Sequence, residues 1–216
     1  MDPVFAVIFL LVFLGIPLIM VIMLVWLGMR HLRDKRARAA AVQSGEWVEV
    51  DPTQGDLQAI LTDLNLTHGQ FKQAWQTPDA STTVVVWSKL NEVRTHETSV
   101  GIQKLMILGA RPQPGPRGVA TRKSGGMLEA AAMGAARQLG HDTMAPPGWE
   151  WARVIAPDGT FLSPERGQAV APHVDVGSTL HLGTTHLALS QRYGPVGHLL
   201  DTATERLQAL QAALGG

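Results

Sequence analysis

The sequence predicts an α+β protein: one N-terminal transmembrane helix followed by a cytoplasmic domain with a mainly antiparallel sheet and several helices. Three observations carry that expectation. Residues 3–29 hold no charged side chain, and Arg30-His31-Leu32-Arg33-Asp34-Lys35-Arg36-Ala37-Arg38 follows at once. Beyond residue 44 the local signals run helix, helix, strands, helix, strands, helix, which suits a sheet with helices gathered beside it. The run Thr82-Thr83-Val84-Val85-Val86-Trp87 is β-branched and aromatic, the composition of a pleated, half-buried strand.

The anchor comes first along the chain. A hydrocarbon core of ~30 Å needs ~20 apolar residues, so residues 4–27 are long enough to span a bilayer with some tilt. Arg30, Arg33, Lys35, Arg36 and Arg38 crowd its C-terminal flank, against Asp2 alone on the other side. The positive-inside tendency then places the N-terminus outside and the remainder in the cytoplasm. A cleaved signal peptide has the opposite arrangement, with charge before a shorter apolar core. Gly15-Ile16-Pro17 is expected to bend the span, because proline lacks the backbone donor and its ring crowds the preceding turn. The span has no ionisable group for a proton path and no GxxxG pair for dimerisation. Trp26 sits where an interfacial aromatic belongs. Residues 30–43 are strong helix formers without Gly or Pro and read as a basic juxtamembrane helix. Trp26, Arg30, Arg33, Lys35, Arg36 and Arg38 are therefore the expected membrane-surface residues.

Residues 44–216 read as one soluble α+β domain, with a hinge expected at 110–126. From Ser44 onward 13 Lys+Arg face 16 Asp+Glu, a balance near −3 that argues against nucleic-acid binding. The chain has no Cys, which excludes disulfides, thiolate nucleophiles and Cys-ligated metals and suits a reducing compartment. The preference for Ala, Gly and Arg over Lys suggests a bacterial protein, hence a bacterial inner membrane.

Ser44-Gly45 should end the juxtamembrane helix, and residues 47–50 read as a short strand. Residues 56–64 place Leu57, Ile60, Leu61 and Leu64 at helical spacing. Residues 67–75 read as a second helix capped by Thr67. Residues 82–90 are the clearest strand, and 105–108 a returning one. Pro112, Pro114 and Pro116 with Gly115 and Gly118 predict a loop over 110–126. Residues 127–139 read as an Ala-rich helix closed by Gly140. Pro157-Asp158-Gly159 predicts a hairpin between 149–156 and 160–162. A second hairpin at Gly177-Ser178-Thr179 would pair Val176 with Leu180 and Val174 with Leu182. That register sets His173, Asp175 and His181 on the opposite face. Residues 195–214 form the closing helix, with Leu199, Leu200, Ala203, Leu207, Leu210 and Leu214 as its apolar stripe.

Several constellations invite a chemical reading. The loop residues Arg111, Arg117, Arg122 and Lys123, with Ser124 leading into a helix N-terminus, form the expected contact for an anion or an acidic partner. A P-loop is excluded, because Arg117 and Arg122 stand where its glycines are required. ILTDLNLTHGQFKQAW, residues 60–75, resembles a helix-turn-helix. Its second helix would offer His68, Gln70, Lys72 and Gln73 to DNA without a basic flank, so a helical hairpin packed on the sheet is the simpler reading. His173, Asp175, His181 and His186 do not have metal-site spacing, since 181 and 186 point to opposite faces of a regular strand. His96-Glu97 lacks the second His of a zincin, Val100 standing in its place, and no Gly-x-Ser-x-Gly elbow exists. Ser163 and His198 are the remaining candidates for a hydrolytic set. Trp149 and Trp151 read as core.

The expectation is a single-pass membrane-anchored cytoplasmic module for interaction, scaffolding or regulation. It would bind the bilayer through residues 4–27 and a protein partner through its domain, with no cofactor and no nucleic acid. The alternatives are a membrane-tethered enzyme with a His/Asp-based site and a membrane-bound helix-turn-helix-like regulator.

Overall fold

The computed structural model describes residues 15–89, 102–122, 151–155, 163–192 and 194–215. Its elements are α1 (Ile16–Gln43), β1 (Val48–Val50), α2 (Gly55–Asp63), β2 (Gly69–Gln76), β3 (Thr82–Lys89), β4 (Ile102–Ala110), β5 (Gly118–Arg122), β6 (Trp151–Ile155), α3 (Pro164–Val170), a 3-10 turn (Ala171–His173), β7 (Thr179–Leu182), β8 (His186–Arg192) and α4 (Val196–Gly215). The strands make one antiparallel sheet in the order β1-β2-β3-β4-β8-β7-β5-β6. The α+β class with an antiparallel sheet is thus observed. Strands from both sides of the proline-rich loop belong to that sheet.

The chain first commits to a long helix. α1 is continuous over 28 residues and closes where Ser44 N–H donates to Ala40 O at 2.8 Å and Gly45 takes a positive φ of 78°. That stop is where Ser44-Gly45 predicted it. Pro17 lies at the start of the described part of α1. Residues 1–14 lie outside the described residues, so the expected bend across Gly15-Ile16-Pro17 lies at their edge.

Each face of the sheet has its own core. On one face α4 lays Leu199, Leu200, Ala203, Leu207, Leu210 and Leu214 over Val84, Val86, Leu105, Ile107 and Leu189. All six positions of the predicted stripe are buried. Gly109 in β4 allows this approach, since a Cβ there would stand 2.5 Å from Leu207 Cδ2. On the other face α2 sets Leu57 and Leu61 with Leu64 and Leu66 against Phe71, Val85, Trp87, Met106 and Leu108. The central strands are therefore apolar on both sides, which is why β3 reads as a continuous β-branched run rather than an alternating one.

Four expectations need correction. Residues 67–75 are not a helix: Gly69–Gln76 is strand β2, paired with both β1 and β3. The register slips between Phe71 and Gln73, and this bulge brings Phe71 and Ala74 onto one face. A strand with an inserted residue thereby acquires an i, i+3 spacing that imitates a helix. The likeness to a helix-turn-helix falls with it, although Asn65 does adopt the left-handed conformation foreseen for the turn, with φ 55°.

The second correction concerns the loop expected over 110–126. Among the described residues of that stretch 111–117 are loop, and Gly118–Arg122 is β5, lying between β6 and β7. The neighbouring prolines had hidden the strand character of Val119 and Thr121. Third, Gly177-Ser178-Thr179 makes no hairpin. Gly177 has φ 82° but turns the chain from the 3-10 helix into β7, and Val176 is exposed. The hairpin instead joins β7 to β8 through residues 183–185, where Gly183 N–H donates to His186 O at 2.8 Å. Fourth, His181 does not share an exposed face with His173 and Asp175, because it is buried in β7. β6 forms within the strand expected at 149–156 and pairs with β5. The helix expected at 127–139 and the strand at 160–162 lie outside the described residues, as do Lys123, Ser124 and Trp149.

Candidate functional site

Two polar assemblies stand out, and they differ in what they tie together. The first is the joint between α1 and α4. α1 changes surroundings part-way along. Its large apolar residues from Ile16 to Met29 are between 46% and 65% exposed, whereas Ala41 is buried in the core. Between these regions Asp34 Oδ1 accepts from the backbone N–H of Gly197 at 2.7 Å. That amide belongs to the first turn of α4, where no intrahelical acceptor exists, so a side chain from another helix caps it. The Asp34 charge also suits the positive end of the α4 dipole. Asp34 Oδ2 meets Arg38 Nη2 at 3.2 Å, and the Arg38 guanidinium lies 6.0 Å from the Trp75 ring centroid over β2. The helices touch closely enough that a Cβ on Gly197 would stand 2.5 Å from Ala37 Cβ and 3.3 Å from Asp34 O.

Open clefts of about 320 Å³ flank α1 at this joint. One is bounded by Trp26, Arg30, Arg33, Pro195, His198 and Asp201, the other by Leu27, Arg30, His31, Asp34, Gly194 and Pro195. The Arg30 guanidinium lies over the Trp26 ring, 5.4 Å from its centroid. Lys35 and Arg36 are exposed outside both clefts.

The second assembly surrounds Asp63, the last residue of α2. Its Oδ1 accepts from Thr184 N–H at 2.8 Å. Its Oδ2 accepts from the N–H groups of Thr185 and His186 at 3.0 Å each, and from the Thr185 hydroxyl at 3.2 Å. His186 Nδ1 also lies 3.0 Å from Oδ2. Three successive backbone amides thus enclose one carboxylate, a nest of the kind that holds anions. Burial pulls the Asp63 carboxyl upward, but the Thr185 amide, the His186 side chain and the Thr184 and His186 amides together hold it well below the usual carboxylate range.

The basic loop belongs to this second assembly. Arg117 Nε donates to Thr184 Oγ1 at 3.3 Å and its Nη2 lies 3.6 Å from Asp63 Oδ1. Arg111 Nη1 donates to Pro116 O and Gly183 O, each at 2.8 Å. Burial and the nearby Arg166 cation lower the Arg111 value, while Asp63 opposes them. Arg122 Nη1 donates to Ala171 O and Val174 O at 2.8 Å each. The three arginines expected to receive a partner are all engaged with carbonyl, hydroxyl or carboxylate oxygens of the same chain. Arg111 and Arg117 clasp the β7–β8 hairpin, and Arg122 holds the turn after α3.

The residues considered for catalysis are scattered. His181 Nε2 lies 3.2 Å from Ser190 Oγ inside the sheet. Asp175 pairs with Arg206 of α4. The Ser163 hydroxyl caps α3 by accepting from Arg166 N–H at 3.3 Å, and His198 stands apart at the α1–α4 cleft. Among the described residues no group of three or more His, Asp or Glu side chains could hold a metal ion. Asp63 and His186 do form a His–carboxylate pair, but Oδ2 is already shared among four donor atoms. That crowding suits a clasp.

Sequence reasoning missed Asp34, Asp63 and Gly197. Asp34 had left a signal as the one acid within the basic run, and Gly197 as a small residue in the first turn of an amphipathic helix. Asp63 left none, because its partners lie more than a hundred residues away. Comparison with family models, with curated proteins and with solved structures returns no match.

Proposed function

We propose that this chain is a single-pass anchor protein of a bacterial inner membrane, with its N-terminus outside and its domain at the cytoplasmic face. The domain serves as an interaction module for another protein at that membrane. One observation carries the reading: α1 runs without a break from an exposed apolar half into a half built into the domain. An apolar helix surface open on all sides needs a non-aqueous surrounding, and a bilayer supplies it. The basic flank sets the orientation.

The joint adds the case for a partner. A flexible linker would leave the domain free to tumble, whereas the Asp34–Gly197 cap and the Ala37–Gly197 contact tie the domain to α1, so an α1 held in a bilayer would hold the domain in one orientation. Fixed orientation favours contact with a component that is itself held at the membrane. The net acidity of the domain argues against nucleic acid as that component.

The test uses full-length protein and a variant with a flexible Gly-Ser insertion between Met29 and Arg30. Both should resist alkaline carbonate extraction of membranes, and externally added protease should spare the domain in sealed cells. A stoichiometric protein should co-purify from gently solubilised membranes and be depleted by the insertion. Carbonate release of the chain overturns the anchor, and absence of any stoichiometric partner overturns the interaction module.

A further inference from the structure

We infer that the clefts flanking α1 bind the phosphate-bearing headgroup of a glycerophospholipid, with Arg30 and Arg33 as the phosphate ligands. The inference rests on the anchor reading above and adds the ligand. Position is the first argument. The clefts open where the uncharged stretch ends, at residues 26–34, which in a bilayer is headgroup level.

Charge is the second argument. Arg30 borders both clefts and Arg33 one, and among the described residues neither makes a salt bridge. Asp34 also borders them, but one of its oxygens takes the Gly197 amide and the other takes Arg38. Its charge is answered within the protein, leaving Asp201 as the other acid at the rim. The Trp26 ring under Arg30 restrains the guanidinium, so less side-chain freedom is lost when it meets a phosphate. Arginine presents its donors as a planar fork matched to phosphate oxygens.

Size is the third argument. About 320 Å³ falls at the small end of ligand pockets and suits a headgroup without its acyl chains, which would lie along the exposed apolar face of α1. The competing account is that the basic run acts only through total charge and sets topology. On that account any two bases of the run are equivalent, whereas here Lys35 and Arg36, outside the clefts, do not substitute for Arg30 and Arg33.

The experiment compares the full chain with R30Q/R33Q and K35Q/R36Q, which remove equal charge. Each is reconstituted in phosphatidylcholine nanodiscs containing phosphatidylglycerol or, as the phosphate-free counterpart, diacylglycerol. Lipid retained after release from the disc is counted by native mass spectrometry. Wild-type and K35Q/R36Q chains should retain phospholipid and not diacylglycerol. R30Q/R33Q should retain about thirtyfold less, as expected for two basic groups acting at a lipid surface. Equal retention by the two double variants, or diacylglycerol held as well as phospholipid, overturns the site. Displacement by millimolar inorganic phosphate would reassign the clefts to free phosphate. Failure of all three chains to enter discs overturns the anchor itself, an outcome distinct from loss of lipid in R30Q/R33Q alone.

Discussion

Two helices of this protein both carry large apolar side chains, and those side chains meet opposite fates. Leu18 and Leu24 of α1 are 61% and 65% exposed, while Leu200 and Leu207 of α4 are each 2% exposed. The difference lies in arrangement. α4 keeps its leucines at i, i+3 and i+4 with Asp201, Glu205 and Arg206 between them, so one face seals the sheet and the other meets water. The first half of α1 is apolar on every side and can satisfy no single flat partner. A stripe of leucines finds a core, and a cylinder of them asks for a different solvent. At Asp34 the two helices meet, and α1 becomes part of the domain that α4 completes.

The largest expected effect should fall on the stripe. Leu207→Ala removes packing from a site closed down by Gly109 and should cost about 2–5 kcal/mol in denaturant unfolding. The same truncation at Leu24 should leave domain unfolding unchanged, and an equal loss at both positions would erase the distinction between the helices. Gly197→Leu places a side chain into Ala37 and the α1 backbone. It should destabilise by about 2–3 kcal/mol and speed tryptic cleavage at Arg36 and Arg38 as α1 lifts from α4.

Asp63→Asn tests the clasp on the far side of the sheet and should cost about 1.5 kcal/mol at neutral pH, since charged acceptors make the stronger hydrogen bonds. The sign with pH follows from the lowered folded value. The carboxylate's contribution is full above the ordinary Asp value near 3.8 and fades as pH falls below it toward the folded value. Wild-type and variant stabilities should therefore converge in acid, and a gap that persists or widens there would remove the charge from the explanation. Asp34→Ala is the smallest change, about 1 kcal/mol, the usual worth of a helix cap. Asp34→Asn should recover part of it, because the amide oxygen can still accept from Gly197. The clasp also alters the expected behaviour of the basic loop: Arg117→Glu, set beside Asp63, should lower stability as well as change surface charge.

Elements with an undisturbed period were legible in the sequence. α1 and its stop at Ser44-Gly45, the α2 leucines, the β3 run, the return at 105–108 and the α4 stripe all read correctly, because each is set by neighbours within two turns or one strand. β2 was illegible because a bulge at Lys72 changed its period, and β5 because prolines surround it. At the candidate site the basic character of residues 30–38 was visible, but the clefts were not, since Pro195, His198 and Asp201 come from the other end of the chain.

By itself the sequence determined that an uncharged segment of bilayer length precedes a basic flank and an acidic, Cys-free domain, because composition and local period need no distant partner. Only the tertiary structure decided what the polar groups do. It joined three arginines of the expected contact loop to carbonyls, Thr184 and Asp63, and it seated Asp34 on an amide 163 residues away. A hydrogen bond is short-ranged and directional, so its partner is chosen by where the folded chain brings an acceptor, and no local pattern records that choice.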